Sequence, residues 1–525
     1  MSDVLPQRLA LLSRAETLPL LRQLRRGIEK ESLRIDRNGW LAQTPHPHAL
    51  GSTLTHPLIT TDYSEALLEF ITLVSADIDQ TVENMELIHR FVYANLADEN
   101  LWTASMPCWL GPDADIPVAQ YGTSNLARMK TIYRIGLGHR YGRRMQTISG
   151  IHYNFSLPEA LWPILCGDQP DGAALQEQVT AAYFSLIRNF RRYSWLLIYL
   201  FGVSPAVCSS FLEERAHQLQ TLMPGTLYQP FGTSLRMGDL GYQSNAQENL
   251  KICYNRLDSY VDTLKHAILD PHPEYERIGV QVDGEYRQLS AGLLQIENEF
   301  YSTIRPKRVA KQGETALTAL ATRGVEYVEV RCIDVNPYLP IGIDAPLMRF
   351  LDAFLLYCLL SDSPPGDADG VAELKQNMKC VVNEGRRPGL TLRRQGEPIG
   401  LQQWASQLLD GIAPIAALLD SAHDGTAYRD SLADQRGKVA DPERTPSARL
   451  LRDLRAGNVG YADFMFQQSL RQGEFFRSRP LPPEITAQFE EMAERSLRAQ
   501  SELEAAQAPP FAEYLQQYFE QYRAL

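Results

Sequence analysis

Few cysteines are present in this sequence, and none of them falls in a recognisable motif. The seven cysteines are scattered over 525 residues, without a CxxC pair and without the regular spacing of a disulfide framework. Small secreted domains depend on such a framework, which argues against that class of protein. No cysteine has a sequence context that marks it as a nucleophile. We therefore expect reduced thiols and a cytoplasmic protein.

Long apolar runs are also missing. The most apolar segment, residues 195–207, is shorter than the roughly 20 residues that cross a bilayer, and Gly202 and Pro205 interrupt it. The first 26 residues have an amphipathic pattern, with no continuous apolar stretch and no cleavage site of small residues. The sequence therefore predicts neither a secretory signal nor a membrane span.

An excess of basic residues is absent as well. Lysine and arginine number 51 and aspartate and glutamate 63, which gives a formal net charge of −12. This charge repels a phosphate backbone, so nucleic acid is not expected as the main partner. Hydrophobic residues make up 44% and charged residues 22% of the chain, a balance typical of a folded enzyme.

Familiar nucleotide-binding and hydrolase motifs are not found. The chain has no GxxxxGK[ST] sequence, no GxGxxG between a strand and a helix, and no GxSxG. These absences argue against P-loop and Rossmann nucleotide binding. They also disfavour the covalent chemistry of serine hydrolases.

The pattern of apolar residues changes near Pro346. Before it, strand-like segments alternate with helical ones, and after it apolar positions recur every three or four residues. We expect an α+β catalytic region at residues 1–345 and a mainly helical region at residues 346–525, packed on the first rather than independent. Helices are predicted at residues 77–97, 173–201, 247–269, 401–419, 447–454, 462–470 and 485–505.

Two strand-like segments carry polar residues at every second position. Successive side chains of a strand point to opposite faces, so residues two apart share a face. Glu29 and Glu31 therefore share a face in residues 26–35, and His152 and Asn154 do so in residues 151–157.

Further acidic residues follow the same rule. In residues 326–333 the alternation predicts that Glu329, Arg331 and Ile333 lie on one face. Within residues 60–74, Glu69 lies in a strand-like segment and Asp62 in a turn at its start.

Carboxylates among apolar neighbours are costly unless a cation or hydrogen bonds compensate them. Glu29, Glu31, Glu69, Glu329 and His152 would form an oxygen-rich site with one nitrogen. Such a site suits Mg²⁺ or Mn²⁺ on nucleotide phosphates better than tetrahedral zinc. The competing interpretation is that each glutamate is an ordinary strand charge that faces water.

Seven separated segments carry a more specific signature: RGIEKESLRID, ITTDYSEALLEFIT, AQYGTSN, MQTISGIHYNFSL, FGTSLRMGDLGY, QIENEFYSTIRPKR and GVEYVEVRCIDVNPYLPIGID. In this order they resemble the glutamate–cysteine ligases of the proteobacterial type. The resemblance implies ATP-dependent joining of the γ-carboxyl of L-glutamate to the amine of L-cysteine through a γ-glutamyl phosphate. The products would be γ-glutamylcysteine, ADP and phosphate, in the first step of glutathione biosynthesis. The resemblance also implies a glutamine-synthetase-like catalytic sheet that is curved, largely antiparallel and flanked by helices.

The resemblance implies roles for individual residues, matched by motif. The metal ligands would be Glu29, Glu31, Glu69, His152 and Glu329, with Asp62 as a ligand or a residue behind the ligands. Glu329 and Arg331 would be catalytic, and Arg331 and Arg305 would bind the nucleotide. Arg236 would hold a substrate carboxylate, and Tyr133, Tyr242 and Tyr301 would line the cysteine end.

The partners implied are ATP, L-glutamate, L-cysteine, a Mg²⁺ or Mn²⁺ cofactor, and glutathione as a feedback inhibitor, with a monomer favoured over an oligomer. Two alternatives stay open at the level of sequence. One is another ATP-dependent γ-glutamyl or amino-acid ligase, or a guanidine-type phosphotransferase, on the same scaffold. The other is a regulator that binds a metal or an amino acid without catalysis.

Overall fold

The computed structural model describes residues 4–167, 172–212, 215–240, 247 and 250–525. The helices are α1 (Val4–Leu12), α2 (Ile78–Asn95), α3 (Asn125–Tyr141), α4 (Trp162–Cys166), α5 (Gly172–Tyr193), α6 (Trp195–Phe201), α7 (Leu257–Leu269), α8 (Pro273–Ile278), α9 (Ala316–Arg323), α10 (Ala345–Leu360), α11 (Ala368–Glu384), α12 (Leu401–His423), α13 (Ala427–Ala440), α14 (Pro446–Gly457), α15 (Tyr461–Arg477), α16 (Pro483–Ala505) and α17 (Phe511–Arg523). The strands are β1 (Arg25–Ile35), β2 (Ile59–Thr61), β3 (Leu67–Ile71), β4 (Asn100–Leu101), β5 (Ile151–Ser156), β6 (Ala206–Cys208), β7 (Gln220–Met223), β8 (Thr226–Tyr228), β9 (Gln281–Val282), β10 (Glu285–Tyr286), β11 (Ile304–Lys307), β12 (Tyr327–Ile333), β13 (Thr391–Arg394) and β14 (Glu397–Gly400). This composition confirms the predicted α+β class.

A central antiparallel sheet carries most of the predicted site residues. Over the described residues its strands lie in the order β11–β12–β5–β1–β3–β2, and β4 pairs with the end of β1. Strand β1 is the longest, and it pairs with β5 along one edge and with β3 along the other. The sheet therefore places residues that are far apart in the sequence next to one another.

The two faces of this sheet differ in character. One face carries Ile28, Tyr153, Phe155, Val328 and Val330, all of them buried in the main hydrophobic core. Helices α2, α5 and α6 contact strands of the sheet. The other face carries Glu29, Glu31, Glu69, His152 and Glu329, because strand side chains alternate between faces.

A buried ion pair connects the apolar face to a helix of the C-terminal region. Arg26 on β1 donates a hydrogen bond of 2.8 Å to Asp352 on α10, and both side chains are almost wholly excluded from solvent. Tyr153 on β5 donates to the same carboxylate at 2.6 Å, and Tyr428 on α13 lies at 3.5 Å. Asp352 therefore joins two central strands to α10 and α13.

One strand departs from simple alternation. Val330 pairs with Tyr153, whereas Ile333 pairs with Ile151, so β12 has one residue more than β5 between these two pairs. This is a β-bulge. The prediction that Ile333 shares a face with Glu329 and Arg331 is therefore wrong, because the extra residue turns Ile333 to the apolar face, where it is buried.

The predicted helices are present, with changed boundaries. The helix predicted at residues 173–201 is two helices, since α5 ends at Tyr193 and α6 begins at Trp195. The one predicted at residues 247–269 begins only at Leu257, and the described residues before it are not helical. The change of pattern near Pro346 coincides with the first turn of α10, a position that favours proline.

The C-terminal region is not purely helical. Strands β13 and β14 form a hairpin after residue 390, and Gln395 and Gly396 take positive φ angles of 55° and 83° in its turn. Two successive positive φ angles are typical of the tight turns that join hairpin strands.

No helix in the described part of the chain combines the length and the apolar character that a membrane span requires.

Candidate active site

The pairing register of the sheet gathers the predicted glutamates. Glu29 on β1 lies opposite His152 on β5, and Glu31 lies opposite Glu69 on β3. Directly paired residues share a face of an antiparallel sheet and have neighbouring side chains. These four side chains therefore form one polar patch at the centre of the sheet.

Glu29 is held by two residues of the neighbouring strand. The Nδ1 atom of His152 lies 3.2 Å from Glu29 Oε2, and the amide of Asn154 donates to Glu29 Oε1 at 2.8 Å. The Oδ1 atom of Asn154 is buried without a hydrogen-bond partner in the structure. Two residues of β5 thus fix both carboxylate oxygens of Glu29. The side-chain oxygen of Asn154 is a further acceptor at this place.

Glu31 is fixed from the backbone. The N–H of Gly150 donates to Glu31 Oε2 at 2.6 Å, and Glu31 Oε1 lies 3.9 Å from His152 Nε2. A Cβ atom on residue 150 would lie 2.0 Å from the Nη2 atom of Arg236. Only glycine therefore allows the guanidinium of Arg236 to lie this close to the backbone that holds Glu31.

Glu329 differs from the other glutamates because two cations contact it. Lys307 on β11 lies 3.3 Å from Glu329 Oε1, and Arg331 donates to Glu329 Oε2 at 3.1 Å. The same Nη1 atom of Arg331 is 3.4 Å from His152 Nδ1. The side chain of Glu329 is 1% exposed, so this ion pair is well shielded from water.

Two groups of potential metal ligands result, and His152 belongs to both. Glu29, His152 and Glu329 form one group, and Glu31, Glu69 and His152 form the other; the ligand atoms within each group lie within 4.8 Å of one another. Oxygen donors with a single imidazole suit a hard divalent cation such as Mg²⁺ or Mn²⁺.

The electrostatic states of these carboxylates differ. Burial, followed by repulsion from Glu29, Asp62 and Glu31, raises the pKa of Glu69 well above its ordinary value. Burial likewise raises the pKa of Glu31. A raised pKa means that the folded chain disfavours the charged form, which a bound cation would stabilise.

Glu29 and Glu329 shift in the other direction. Burial acts to raise the pKa of Glu329, but Lys307, Arg331 and His152 outweigh it and hold the pKa well below its ordinary value. Burial also opposes the ionisation of Glu29, and the hydrogen bond with His152 leaves the net pKa lowered. The patch therefore contains both stabilised and strained carboxylates.

A cavity lies next to this patch. Glu31, His152 and Arg331 line it on the sheet side, and the predicted residues Asp62, Tyr133, Arg236 and Tyr301 line it elsewhere. Arg236 is buried, and its Nη2 donates to the carbonyl of Arg331 at 2.8 Å. The cavity thus joins the predicted metal and amino-acid residues in one site. Tyr242 lies outside the described residues.

Arg305, unlike Arg236 and Arg331, does not line the cavity. It pairs with Glu329 across β11 and β12, but its guanidinium donates to the backbone carbonyls of Asn298 (2.8 Å) and Phe300. Its predicted contact with the nucleotide stays a prediction.

Helix α3 contributes two cations that the sequence did not single out. Arg134 lines the cavity, donates to the carbonyl of Asp62, and lies 3.8 Å from the carboxylate of that residue. Arg134 and Lys130 both contact the ring of Tyr121. Burial, with repulsion from Arg134, lowers the pKa of Lys130 to about 8, although Glu69 acts in the opposite direction. A basic residue on a helix carries no motif signal, so only the fold reveals these two.

Comparison with known proteins decides the family. The sequence model of the family described as glutamate–cysteine ligase matches residues 9–381. A glutamate–cysteine ligase of Pseudomonas paraeruginosa is 55% identical over 520 residues, which cover 99% of this chain and 98% of that protein. One from Alcanivorax borkumensis is 52% identical over 520 residues, with coverage of 98% and 99%. The chain belongs to the glutamate–cysteine ligase family.

A solved structure agrees with this assignment, and a second one shows the same fold. The glutamate–cysteine ligase of Francisella tularensis, solved in complex with AMP, superposes with a TM-score of 0.90 at 38% identity, covering 95% of this chain and 98% of that one. A bifunctional glutathione synthetase of Pasteurella multocida shares the fold, with a TM-score of 0.69 at 23% identity, covering 94% of this chain and 57% of that one.

The family assignment confirms the resemblance found in the sequence. The chain is an enzyme, a glutamate–cysteine ligase, and its reaction is the first step of glutathione synthesis. This result favours the ligase over the phosphotransferase and the non-catalytic regulator that the sequence left open.

Proposed function

We propose that the polar face of the sheet transfers the γ-phosphoryl group of ATP to the γ-carboxyl of L-glutamate. A carboxylate is a poor electrophile at neutral pH, and phosphorylation turns one of its oxygens into a leaving group. The amine of L-cysteine then attacks the γ-glutamyl phosphate, the C–O bond to the phosphate breaks, and inorganic phosphate leaves. One observation carries the proposal. Two clusters of potential metal ligands share His152, and they lie beside a cavity that Arg331 and Arg236 also line.

The donor set fits divalent cations, with Mg²⁺ as the proposed cofactor and Mn²⁺ as a substitute. Glu29, His152 and Glu329 would hold one ion, and Glu31 and Glu69, with His152, would hold a second. The raised pKa of Glu69 supports this fit, since desolvation and repulsion from neighbouring carboxylates outweigh the attraction of Arg134, and a bound cation would stabilise the charged form. A divalent cation held by these residues would screen the negative charge of the phosphates during transfer. The Francisella relative, solved in complex with AMP, supports nucleotide binding by this chain.

Arg331 is the proposed catalytic cation. Its Nη1 atom lies between Glu329 and His152, so its guanidinium is held at the edge of both ligand groups. A fixed positive charge stabilises a transition state most strongly when it lies where negative charge develops. In phosphoryl transfer, that negative charge is on the equatorial oxygens of the transferring group. Glu329 holds Arg331 in place, which is its proposed contribution to catalysis besides metal binding.

The cavity itself is the proposed amino-acid site. Arg236 would bind a substrate carboxylate through its guanidinium, a geometry suited to bidentate pairing. Tyr133 and Tyr301 would surround the side chain of cysteine, since both line the same cavity. Arg134, beside Asp62, is a further cation within reach of a substrate carboxylate.

An isotope experiment tests the mechanism. Glutamate is labelled with heavy oxygen in its γ-carboxyl, and the inorganic phosphate released with cysteine and ATP is analysed by mass spectrometry. One labelled oxygen per peptide bond formed is expected in the phosphate. Label found in AMP, or absent from phosphate, would mean that the carboxyl is activated by another route, and the role given to Arg331 would be withdrawn.

A binding experiment tests the metal ligands separately. We expect Glu29→Gln to weaken the binding of Mn²⁺, measured by calorimetry, and to reduce kcat severely. Glu326→Gln is the matched control, because Glu326 precedes β12 and its carboxylate accepts from the N–H of Val309. Equal Mn²⁺ affinity in both variants would contradict the assignment.

A further inference from the structure

A fully buried carboxylate supports the wall of the cavity. Glu299 lines the cavity, yet its side chain is 0% exposed. Its Oε1 atom accepts from Arg140 at 2.9 Å and from the hydroxyl of Tyr141 at 2.6 Å, and its Oε2 accepts from the N–H of Gln295 at 2.7 Å. A buried charge that is paired and hydrogen-bonded in this way has one well-defined position.

From Glu299 the contacts continue to Tyr301. The amide nitrogen of Gln247 donates to the hydroxyl of Tyr141 at 3.2 Å and to the carbonyl of Glu299 at 3.0 Å, while its oxygen accepts from the N–H of Tyr301 at 3.1 Å. The rings of Tyr141 and Tyr301 meet edge to face, with centroids 6.2 Å apart. Both the backbone and the ring of Tyr301 are thus held by this network.

A second branch leads to Tyr133. Gln295, whose backbone is bound to Glu299, donates its side-chain amide to the carbonyl of Tyr133 at 3.1 Å. Gly136 lies on α3, the helix that also holds Tyr133, and a Cβ atom at Gly136 would lie 2.2 Å from the side-chain oxygen of Gln295. The glycine therefore allows the close approach that this hydrogen bond requires.

We propose that Glu299, through its hydrogen bond from Tyr141, fixes the separation of Tyr133 and Tyr301 and so sets the size of the amino-acid side chain that the cavity accepts. This inference rests on the proposed function of the cavity as the cysteine site. Glu299 and Tyr141 act here as positioning residues, because their polar atoms bond to the protein. An apolar pocket discriminates poorly by contact alone, so the rigidity of its walls determines how strictly it rejects a longer side chain.

Tyr141→Phe is the informative variant, because it keeps the ring and leaves Glu299 paired with Arg140. We expect the KM for cysteine to rise about three- to tenfold, the effect of one lost hydrogen bond. The KM for ATP should change less than about twofold, and kcat should change less than the KM for cysteine. The preference for cysteine over 2-aminopentanoate, measured as a ratio of kcat/KM values, should fall about threefold or more.

Tyr338→Phe is the matched control, because the Tyr338 hydroxyl donates to the carboxylate of Asp453 at 2.7 Å away from the cavity. Unchanged KM values and selectivity are expected for it. An equal loss of selectivity in both variants, or equal changes in every kinetic constant of Tyr141→Phe, would overturn the proposal. Glu299→Gln should change selectivity in the same direction as Tyr141→Phe.

Tyr301→Leu separates this inference from the proposed function. If it leaves the KM for cysteine unchanged, the cavity is not the cysteine site and the proposed role of Tyr133 and Tyr301 fails. If Tyr301→Leu raises that KM while Tyr141→Phe alters neither KM nor selectivity, the cysteine site stands and the positioning role of Glu299 is refuted.

Discussion

The glutamates of the site are chemically alike, but their surroundings give them opposite effects on the folded state. Glu69 is half-buried beside other carboxylates, and Glu329 is buried beside Lys307 and Arg331. Without a metal, the first is a source of repulsion and the second is part of an ion-pair network. Substitutions that remove one negative charge should therefore change the free energy of unfolding with opposite signs.

In the metal-free protein we expect Glu69→Gln to raise the free energy of unfolding at about pH 8 by about 1 kcal/mol or more, since each unit of pKa shift corresponds to about 1.4 kcal/mol. The folded pKa of Glu69 is raised, so the protein loses stability as the pH rises through that pKa. The gain should shrink as the pH falls towards the ordinary glutamate pKa. Urea unfolding in EDTA at several pH values measures it.

Glu329→Gln should instead lower the free energy of unfolding at about pH 8. The folded pKa of Glu329 is lowered, so its contribution is present above the ordinary pKa and is lost as the pH falls through the folded pKa. The same urea series measures this change, with Glu326→Gln as a control near zero. Changes of the same sign in Glu69→Gln and Glu329→Gln would refute this account of the site.

Substrate discrimination at the tyrosines gives another prediction at this scale. A pocket that recognises the thiol by size separates it from a methyl group by only about 1–3 kcal/mol. We expect 2-aminobutyrate to replace cysteine with a moderate loss of kcat/KM, and glycine and leucine to fail. A complete inability to use 2-aminobutyrate in an ADP-release assay would show that the thiol takes part in the chemistry.

Which of these residues could be predicted depended on the kind of signal. Alternation correctly placed Glu29 and Glu31 on one face of β1, and His152 and Asn154 on one face of β5, because period two is a property of any strand. It could not show that Glu31 lies opposite Glu69, since pairing partners depend on the fold. Lys130 and Arg134 were missed because both lie on a helix, and only its packing brings Arg134 to the cavity and Lys130 near Glu69.

Among the elements, β1 and β5 depend on the C-terminal helices through Asp352. We expect Asp352→Asn to lower the free energy of unfolding by about 3–5 kcal/mol, because Arg26 would be left as an uncompensated buried charge. Asp424→Asn is the matched control: it breaks the ion pair with Arg22, whose side chains are 52% and 80% exposed, and should cost less than about 1 kcal/mol. Similar midpoints in urea for the two variants would exclude this role for Asp352.

The elements themselves were predicted unevenly. Long helices with a clear apolar period were found, whereas the β-bulge in β12 and the break at residue 194 were not. A bulge depends on the register between two strands, and β5 and β12 are far apart in the sequence. The β13–β14 hairpin was missed because its short strands lie within a region dominated by a helical period.

For the molecule as a whole, we propose that residues 346–525 complete the core of residues 1–345. Helix α10 is buried along most of its length and contacts both α5 and α13. Removing it would expose the apolar face of the sheet, a loss that scales with the buried area. We therefore expect a fragment of residues 1–345 to lack cooperative thermal unfolding.

Co-expression of residues 346–525 with that fragment is the control. It should restore a cooperative transition and measurable activity if the two parts share one core. A fragment of residues 1–345 that unfolds cooperatively by itself, followed by circular dichroism, would show that the catalytic region is an independent domain.

Gly150 has a consequence for how this enzyme can change. Its N–H holds Glu31 in the proposed metal site, and the space above its Cα admits Arg236 of the proposed amino-acid site. One backbone position thus supports both the proposed metal site and the proposed amino-acid site. Substitutions at Glu31 and Arg236 should therefore be epistatic, so that their effects on activity do not add. A lineage that altered its amino-acid preference at Arg236 would have to adjust its metal site at the same time, which restricts the routes by which new specificity can evolve on this sheet.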